Sequence, residues 1–332
     1  MSKLERIRVG VAGVGDFGLL HARTAARLPE LELCGVADRD AGRARAAAGE
    51  LGGRAYGSLE ELLAADRPDA VIVATPEAHH LAALRAALDA GAHVLVEKPV
   101  ALSAADAMLA RDLAAASGLI VLPGHVSRFL PEVARLRALV AGRPVRAVHA
   151  TRAVPRERLD LHGRVHPAFM AMVHDLDLLR SVQPAELVSV TAEQRWTEPD
   201  RPHPQLLWAT LAFAGGCVAV VENAWTLPHA RRYVDARMQV TTDELVAEVR
   251  LPADGLRVAR DDGDHVPDTQ LDAWVGDLPV GAIASQLRHF AACIRAGTPS
   301  PLVSMDDAVW SVATAERIIG SAMDSSPDRI RR

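Results

Sequence analysis

Apolar residues in the first third of the chain come in short continuous runs separated by segments of helical period. Ile7–Ala12, Glu32–Ala37, Ala70–Ala74, His93–Val96 and Leu119–Leu122 read as strands. Continuous aliphatic runs without alternation suit strands covered on both faces. The intervening segments, one to about Leu28 and then Ala41–Leu51, Leu59–Ala65, His79–Ala90 and Ser103–Ser117, read as helices, with Ser58 as a cap and Gly91 and Gly118 as stops. Alternation of this kind implies right-handed crossovers and a doubly wound parallel sheet. Parallel strands end on one edge, which brings Gly13, Asp38, Thr75, Lys98 and Gly124 to that edge although they lie far apart in sequence.

The pattern changes after Pro123. Pro131–Ala141 reads as a helix and Val145–Arg152 as a strand, residues 153–167 as a loop rich in Arg, His and Pro, and Ala168–Ser181 as a helix. Strands near Leu187–Glu193, Leu206–Phe213, Cys217–Ala224, Tyr233–Val240 and Leu245–Arg250 then follow one another without helices, with Gly215-Gly216 as a hairpin turn. Ile283–Ala296 is helical by its apolar spacing, and Ser304-x-x-Asp307 opens a last helix to about Met323. The fold class is therefore an α/β Rossmann domain, residues 1–123, followed by an α+β domain, residues 124–332, with an open and mainly antiparallel sheet.

Composition narrows the partners. The 332 residues carry a net charge of -5, which offers no basic surplus for nucleic acid. No apolar stretch is long enough for a membrane span. The three cysteines, Cys34, Cys217 and Cys293, are isolated, so neither a disulfide framework nor a zinc site is expected and a reducing cytoplasm fits. His162 and His166 have the spacing of a ligand pair, but Gly163 and Pro167 oppose a helix there and no third ligand accompanies them; no metal is expected.

Two constellations carry chemistry. The first is Gly13-Val14-Gly15-Asp16-Phe17-Gly18 between a strand and a helix, followed by a second strand that ends at Asp38. Glycines permit the tight turn and close approach of a pyrophosphate, the helix N-terminus supplies N–H groups, and an acid about 20 residues on meets a ribose hydroxyl. The plain alternative is a junction that uses glycine only for packing, with Asp38 as a cap. Asp38 repels a 2′-phosphate and favours NAD; Arg39 beside it keeps NADP as the alternative cofactor. The second constellation is Glu97-Lys98-Pro99 at the end of a buried strand. A free lysine amine, near pKa 10.4, is a poor base, and burial beside a cationic ring disfavours its ammonium form. The plain alternative is a surface lysine paired with Glu97.

These residues resemble the Gfo/Idh/MocA oxidoreductase family. The resemblance rests on Gly13 to Gly18; Ala37-Asp38; Ala74-Thr75-Pro76 with His80 four residues on; Glu97-Lys98-Pro99; Val173-His174-Asp175-Leu176-Asp177; and Arg128-Phe129 with Pro131. It implies a nicotinamide cofactor held by Gly13, Gly15, Asp16, Phe17, Gly18, Asp38, Arg39, Thr75, Pro76, His80, Glu97 and Lys98. It implies hydride transfer to or from a ring hydroxyl of a sugar, cyclitol or sugar derivative, with Lys98 and His174 handling the proton and His125, Arg128 and Asp177 beside them on the substrate. The second domain then serves substrate binding and assembly, as a homodimer or homotetramer. Redox-neutral elimination or epimerisation with tightly held NAD, and a non-catalytic NAD(P)-sensing role, are the alternative functions.

Several residues stay open. Many relatives carry Asp four residues before the histidine on this helix, where the chain has Met170, a thioether that cannot orient an imidazole. Asp177 is three residues from His174 and shares its face, whereas Asp175 points elsewhere and reads as structural. Arg152, Arg156, Arg158 and Arg164 could bind an anionic substrate group, form a solvated face or make a subunit contact. Trp225 reads as packing rather than as a cover for a sugar ring.

Overall fold

In a computed structural model, residues 6–228, 234–251, 256, 258–260, 263–265 and 269–325 are described. The chain gathers into two compact units, one of residues 1–129 and 271–309 and the other of 130–270 and 310–332.

The first unit is built on a six-stranded parallel sheet of β1 (Ile7–Ala12), β2 (Leu31–Ala37), β3 (Arg54–Tyr56), β4 (Ala70–Val73), β5 (His93–Glu97) and β6 (Val121–Gly124). Their order, β3-β2-β1-β4-β5-β6, is the 3-2-1-4-5-6 order of dinucleotide-binding sheets. The crossovers are α1 (Asp16–Arg27), α2 (Ala41–Leu51), α3 (Leu59–Asp66), α4 (His80–Asp89) and α5 (Ala104–Ser117). All four residues of β4 and Val94, Leu95 and Val96 of β5 are buried, which is why their sequence runs are continuous. The helix starts follow local chemistry: Asp40 accepts the N–H groups of Gly42 and Arg43, Ser58 that of Glu61 and Ser103 that of Asp106. Residues 271–309, including the helix Ala282–Ala296, belong to this unit. Arg288 and Arg295 of that helix reach Glu30 after α1, and Phe129 lies against His289.

The second unit holds α6 (Pro131–Val140), β7 (Val145–Pro155), a single helical turn α7 (Leu159–His162) and α8 (Val173–Val182). Its strands are β8 (Leu187–Arg195), β9 (Leu206–Phe213), β10 (Val218–Leu227), β11 (Asp235–Thr242) and β12 (Val246–Leu251). They form a six-stranded sheet with β7, in the order β12-β11-β7-β10-β9-β8. Every pairing is antiparallel except β7 with β10, so the sheet is mixed although mainly antiparallel. Residues alternate between a buried face and a face that exposes Val218, Val220 and Val246.

Three local expectations change. Strand β7 runs on to Pro155, because pairing with β10 reaches Leu227 opposite Pro155, and a 3-10 turn and α7 follow where an open loop was expected. The helix expected from Ala168 begins as a π-helical turn, Ala168–Met172, before α8. The short edge strand β3 was not visible in a segment of mixed polarity. The expected start of one strand at Tyr233 lies outside the described residues, and the strand is seen from Asp235. The capping pair is borne out: Ser304 Oγ accepts the N–H of Asp307, and Asp307 Oδ2 accepts that of Ser304.

Candidate functional site

The glycine turn shows three distinct roles. Gly13 has φ +86°, its N–H donates to Ala37 O at 2.7 Å, and a Cβ there would lie 2.5 Å from the Ala74 carbonyl. A Cβ on Gly18 would overlap the Gly13 carbonyl oxygen, so only glycine lets α1 pack this close to the turn. Gly15, at the N-cap of α1, faces open space, with nothing within 4 Å of where a Cβ would stand. Asp16 is exposed in the first turn of α1, and Phe17 is half-buried against His21 with ring centroids 6.2 Å apart.

Asp38 follows β2 and is buried. Its Oδ2 accepts the Val14 N–H at 2.9 Å, and its Oδ1 accepts the Asp40 N–H at 2.8 Å and Arg43 at 3.0 Å. Burial alone would raise its pKa; the Arg43 guanidinium and the two backbone N–H groups outweigh burial and hold the carboxyl below its ordinary range. Arg39, the basic residue that keeps NADP open in the sequence, is exposed, and its Nη2 lies 3.4 Å from His79 Nε2. Arg43, which sequence spacing did not single out, is the cation on Asp38.

Thr75 and Pro76 follow β4. The Thr75 Oγ1 is buried without a protein partner. His80 is buried, with Nδ1 2.7 Å from Pro99 O and Nε2 2.8 Å from Thr75 O. It ties the loop after β4 to the segment after β5. Two carbonyl partners call for two N–H donors, while burial, the larger influence, pulls the His80 pKa down.

At the end of β5, Glu97 is buried and Lys98 half-buried. Glu97 Oε1 lies 2.8 Å from His21 Nε2, and Oε2 accepts the Lys98 N–H at 3.1 Å. Burial would raise the Glu97 pKa, but the hydrogen bond and charge of His21, with the charge and N–H of Lys98, hold it below the usual carboxylate range. His125, after β6, is buried, and its backbone N–H donates to Pro123 O at 2.9 Å. Arg128 is also buried; Nη1 donates to Leu302 O at 3.1 Å and Nη2 lies 4.0 Å from Asp307 Oδ2. Those contacts tie Arg128 to the segment 302–307 of the same unit.

In the second unit, His174 is half-buried on α8 and Asp177 is buried. Asp175 takes both ends of the Arg152 guanidinium from β7, at 2.8 and 2.9 Å, with both side chains buried. The structural reading of Asp175 is borne out, and Arg152 is spent on it. Met170 lies in an apolar cluster with Val154, Leu159, Ala171 and Trp225. Trp225 packs as expected, and its Nε1 donates to Asn223 Oδ1 at 2.7 Å. His166 is buried; Nδ1 accepts the Ala168 N–H and Nε2 faces Gln194 Oε1 at 3.4 Å, which fits the neutral ring, and burial pushes its pKa down to about 4. No metal-ligand cluster and no helix long and apolar enough to cross a membrane occur among the described residues.

The open approach at Gly15 and the unpartnered, buried Thr75 Oγ1 fit a bound dinucleotide along this edge. Comparison with known proteins agrees. Residues 7–125 match the Gfo/Idh/MocA description "Oxidoreductase family, NAD-binding Rossmann fold". The chain is 31% identical to UDP-N-acetylglucosamine 3-dehydrogenase of Acidithiobacillus ferrooxidans over 88% of this chain and 90% of that protein. It is 29% identical to scyllo-inositol 2-dehydrogenase (NAD(+)) of Bacillus subtilis over 97% of this chain and 96% of that protein. The crystal structure of GenD2 from gentamicin A biosynthesis in complex with NAD superposes with a TM-score of 0.82 at 25% identity, covering 98% of this chain and 96% of that one.

Proposed function

The chain belongs to the Gfo/Idh/MocA oxidoreductase family, and from that premise we propose which residues do its chemistry and on what. It is an NAD-dependent oxidoreductase of CH–OH groups on sugars or cyclitols. NAD, when bound, exchanges a hydride with the carbinol carbon. Gly13, Gly15, Gly18 and the first turn of α1 would hold its pyrophosphate, Asp38 its ribose, and Thr75 Oγ1 would gain the partner it lacks. The Lys98 Nζ takes the hydroxyl proton in oxidation and returns it in reduction. His174 shares that transfer and Asp177 orients the substrate, an assignment supported by the Val173–Asp177 motif and by the half-buried position of His174.

The observation that carries this reading is a half-buried lysine at the carboxyl end of β5, in the same sheet as the open glycine turn. Its finer parts, a reducing cytoplasm and a homodimer or homotetramer, are supported by three buried free cysteines and by the valine-bearing exposed face of the second sheet. The test is a panel of free and nucleotide-linked sugars, amino sugars and cyclitols, followed by reduced-cofactor absorbance in both directions. Turnover of one ring hydroxyl or ketone that disappears in Lys98→Ala is expected. Turnover that survives in Lys98→Ala would overturn the assignment.

A further inference from the structure

His21 lies in the middle of α1, in a stretch whose glycines draw attention away from it. It is 0% exposed, and its Nε2 meets Glu97 Oε1 at 2.8 Å. The second oxygen of the same carboxylate accepts the backbone N–H of Lys98. One ionised group therefore links a side chain of α1 to the amide of the proton-handling residue. Gly124 of β6 makes the room: a Cβ there would lie 2.7 Å from Glu97 Cα and 3.0 Å from Oε1. A carboxylate kept charged in a buried place needs fixed donors, and losing one leaves the other oxygen free to turn.

We propose that His21 is a positioning residue for Lys98: it fixes the Glu97 carboxylate, and through Oε2 it fixes the direction in which Lys98 leaves β5. The proposal rests on the reading of Lys98 as the proton-handling group. Reacting groups held near attack distance lose rate steeply when displaced, so the device matters to turnover without touching substrate.

The chain contains only two lysines, Lys3 and Lys98. Incorporation of 15N-lysine into the full-length, NAD-bound protein therefore yields two lysine amide signals, and Lys98→Arg assigns them. His21→Ala is expected to move the Lys98 signal and to speed its hydrogen exchange by about tenfold or more, the loss of one hydrogen bond to a charged acceptor. Affinity for NADH should change by less than about threefold, so the expected loss is in kcat rather than in cofactor binding. His21→Gln, whose amide nitrogen can reach Glu97 from the same helix position, should restore the signal; His21→Asn, one carbon shorter, should not. If His21→Ala does not fold, the Gln and Asn pair decides. A Lys98 amide unmoved in His21→Ala, or the same in Gln, Asn and the parent protein, overturns the proposal even if the melting temperature falls. Full activity of Lys98→Ala would instead remove the reading of Lys98 and leave the amide result standing.

Discussion

The carboxyl edge of the first sheet carries Lys98 and the start of α8 carries His174, the two side chains proposed to handle the proton, and the chain fixes their surroundings by opposite means. Lys98 is held by short-range geometry at a strand end. Its N–H is bonded by Glu97, Glu97 is met by His21, and Pro99 O is met by His80, all from elements adjoining the same sheet. His174 follows a π-helical turn, and the residue beside it, Asp175, is clamped bidentately by Arg152 from β7. The first arrangement spreads its support over several buried hydrogen bonds, those to the Glu97 carboxylate among them. The second concentrates on one buried ion pair, whose removal by halves is costly. Function should thus be separable from stability at Lys98 and inseparable from it around His174.

Lys98→Ala is the largest separation. Loss of a general acid–base group costs about 10²–10⁴-fold in kcat. The half-buried side chain lies outside the apolar core, and its charge on the buried Glu97 is one of several contacts there, so the melting temperature should fall only modestly and NADH affinity should hardly change. Steady-state kinetics beside a thermal melt would check this, and a large loss of stability would break the contrast. Asp175→Ala reverses the pattern. It leaves the Arg152 guanidinium buried and unpaired, with an expected destabilisation of about 3–5 kcal/mol by denaturant titration. Activity should fall only as folded protein is lost or α8 shifts.

The same contrast explains what the chain revealed in advance. Strand ends, glycine spacing and the Glu97-Lys98-Pro99 run are local signals, so the first sheet was legible element by element. Only the short β3 escaped, being a three-residue edge strand of partly exposed residues. Support from a distance was not legible. His21 is one of several helix residues until Glu97 is seen above it. Arg152 sat among four arginines that could have served a substrate anion. Residues 271–309 follow the second sheet in sequence, yet they group with the first unit because the helix Ala282–Ala296 packs against α1 and the segment after β6. One signal was available and unused: an apolar stretch with Met170, Ala171 and Val173 leading into the histidine left no polar place for the missing carboxylate.

His166 tests the second unit through pH. Its folded pKa, about 4, lies below the ordinary value of 6.5, so the unfolded chain binds more protons between the two. Its contribution is complete above pH 6.5 and is lost as pH falls through 4, on the order of 3 kcal/mol. Asn at this position can accept the Ala168 N–H without titrating. His166→Asn should therefore flatten the pH dependence of stability between 6.5 and 4 by roughly one proton. An unchanged slope would remove His166 from the account.

Met170→Asp asks whether the relay was lost or replaced. A carboxyl at this place would enter the cluster of Val154, Leu159, Ala171 and Trp225. Its burial should cost about 1–3 kcal/mol and should not raise activity on polyols. A gain in kcat would mean that the side chain escapes the cluster, and that the position remains open to relay chemistry.

The smallest effect concerns the cofactor. Both Asp38 oxygens already accept hydrogen bonds, yet each carboxylate oxygen has two lone pairs, so Oδ2 keeps one for a ribose hydroxyl. Its charge opposes a 2′-phosphate, while Arg43, with 57% of its side chain exposed, partly offsets that charge. Solvent screening of the exposed Arg43 side limits this pair to about 1 kcal/mol. Arg43→Ala should consequently leave the Kd for NAD within about twofold and weaken NADP by at most about fivefold, as measured by calorimetric titration of both. Comparable affinity of the parent protein for the two cofactors would refute Asp38 as the selector. A parent that prefers NAD, with a ratio unmoved by Arg43→Ala, would confine Arg43 to bracing the carboxylate.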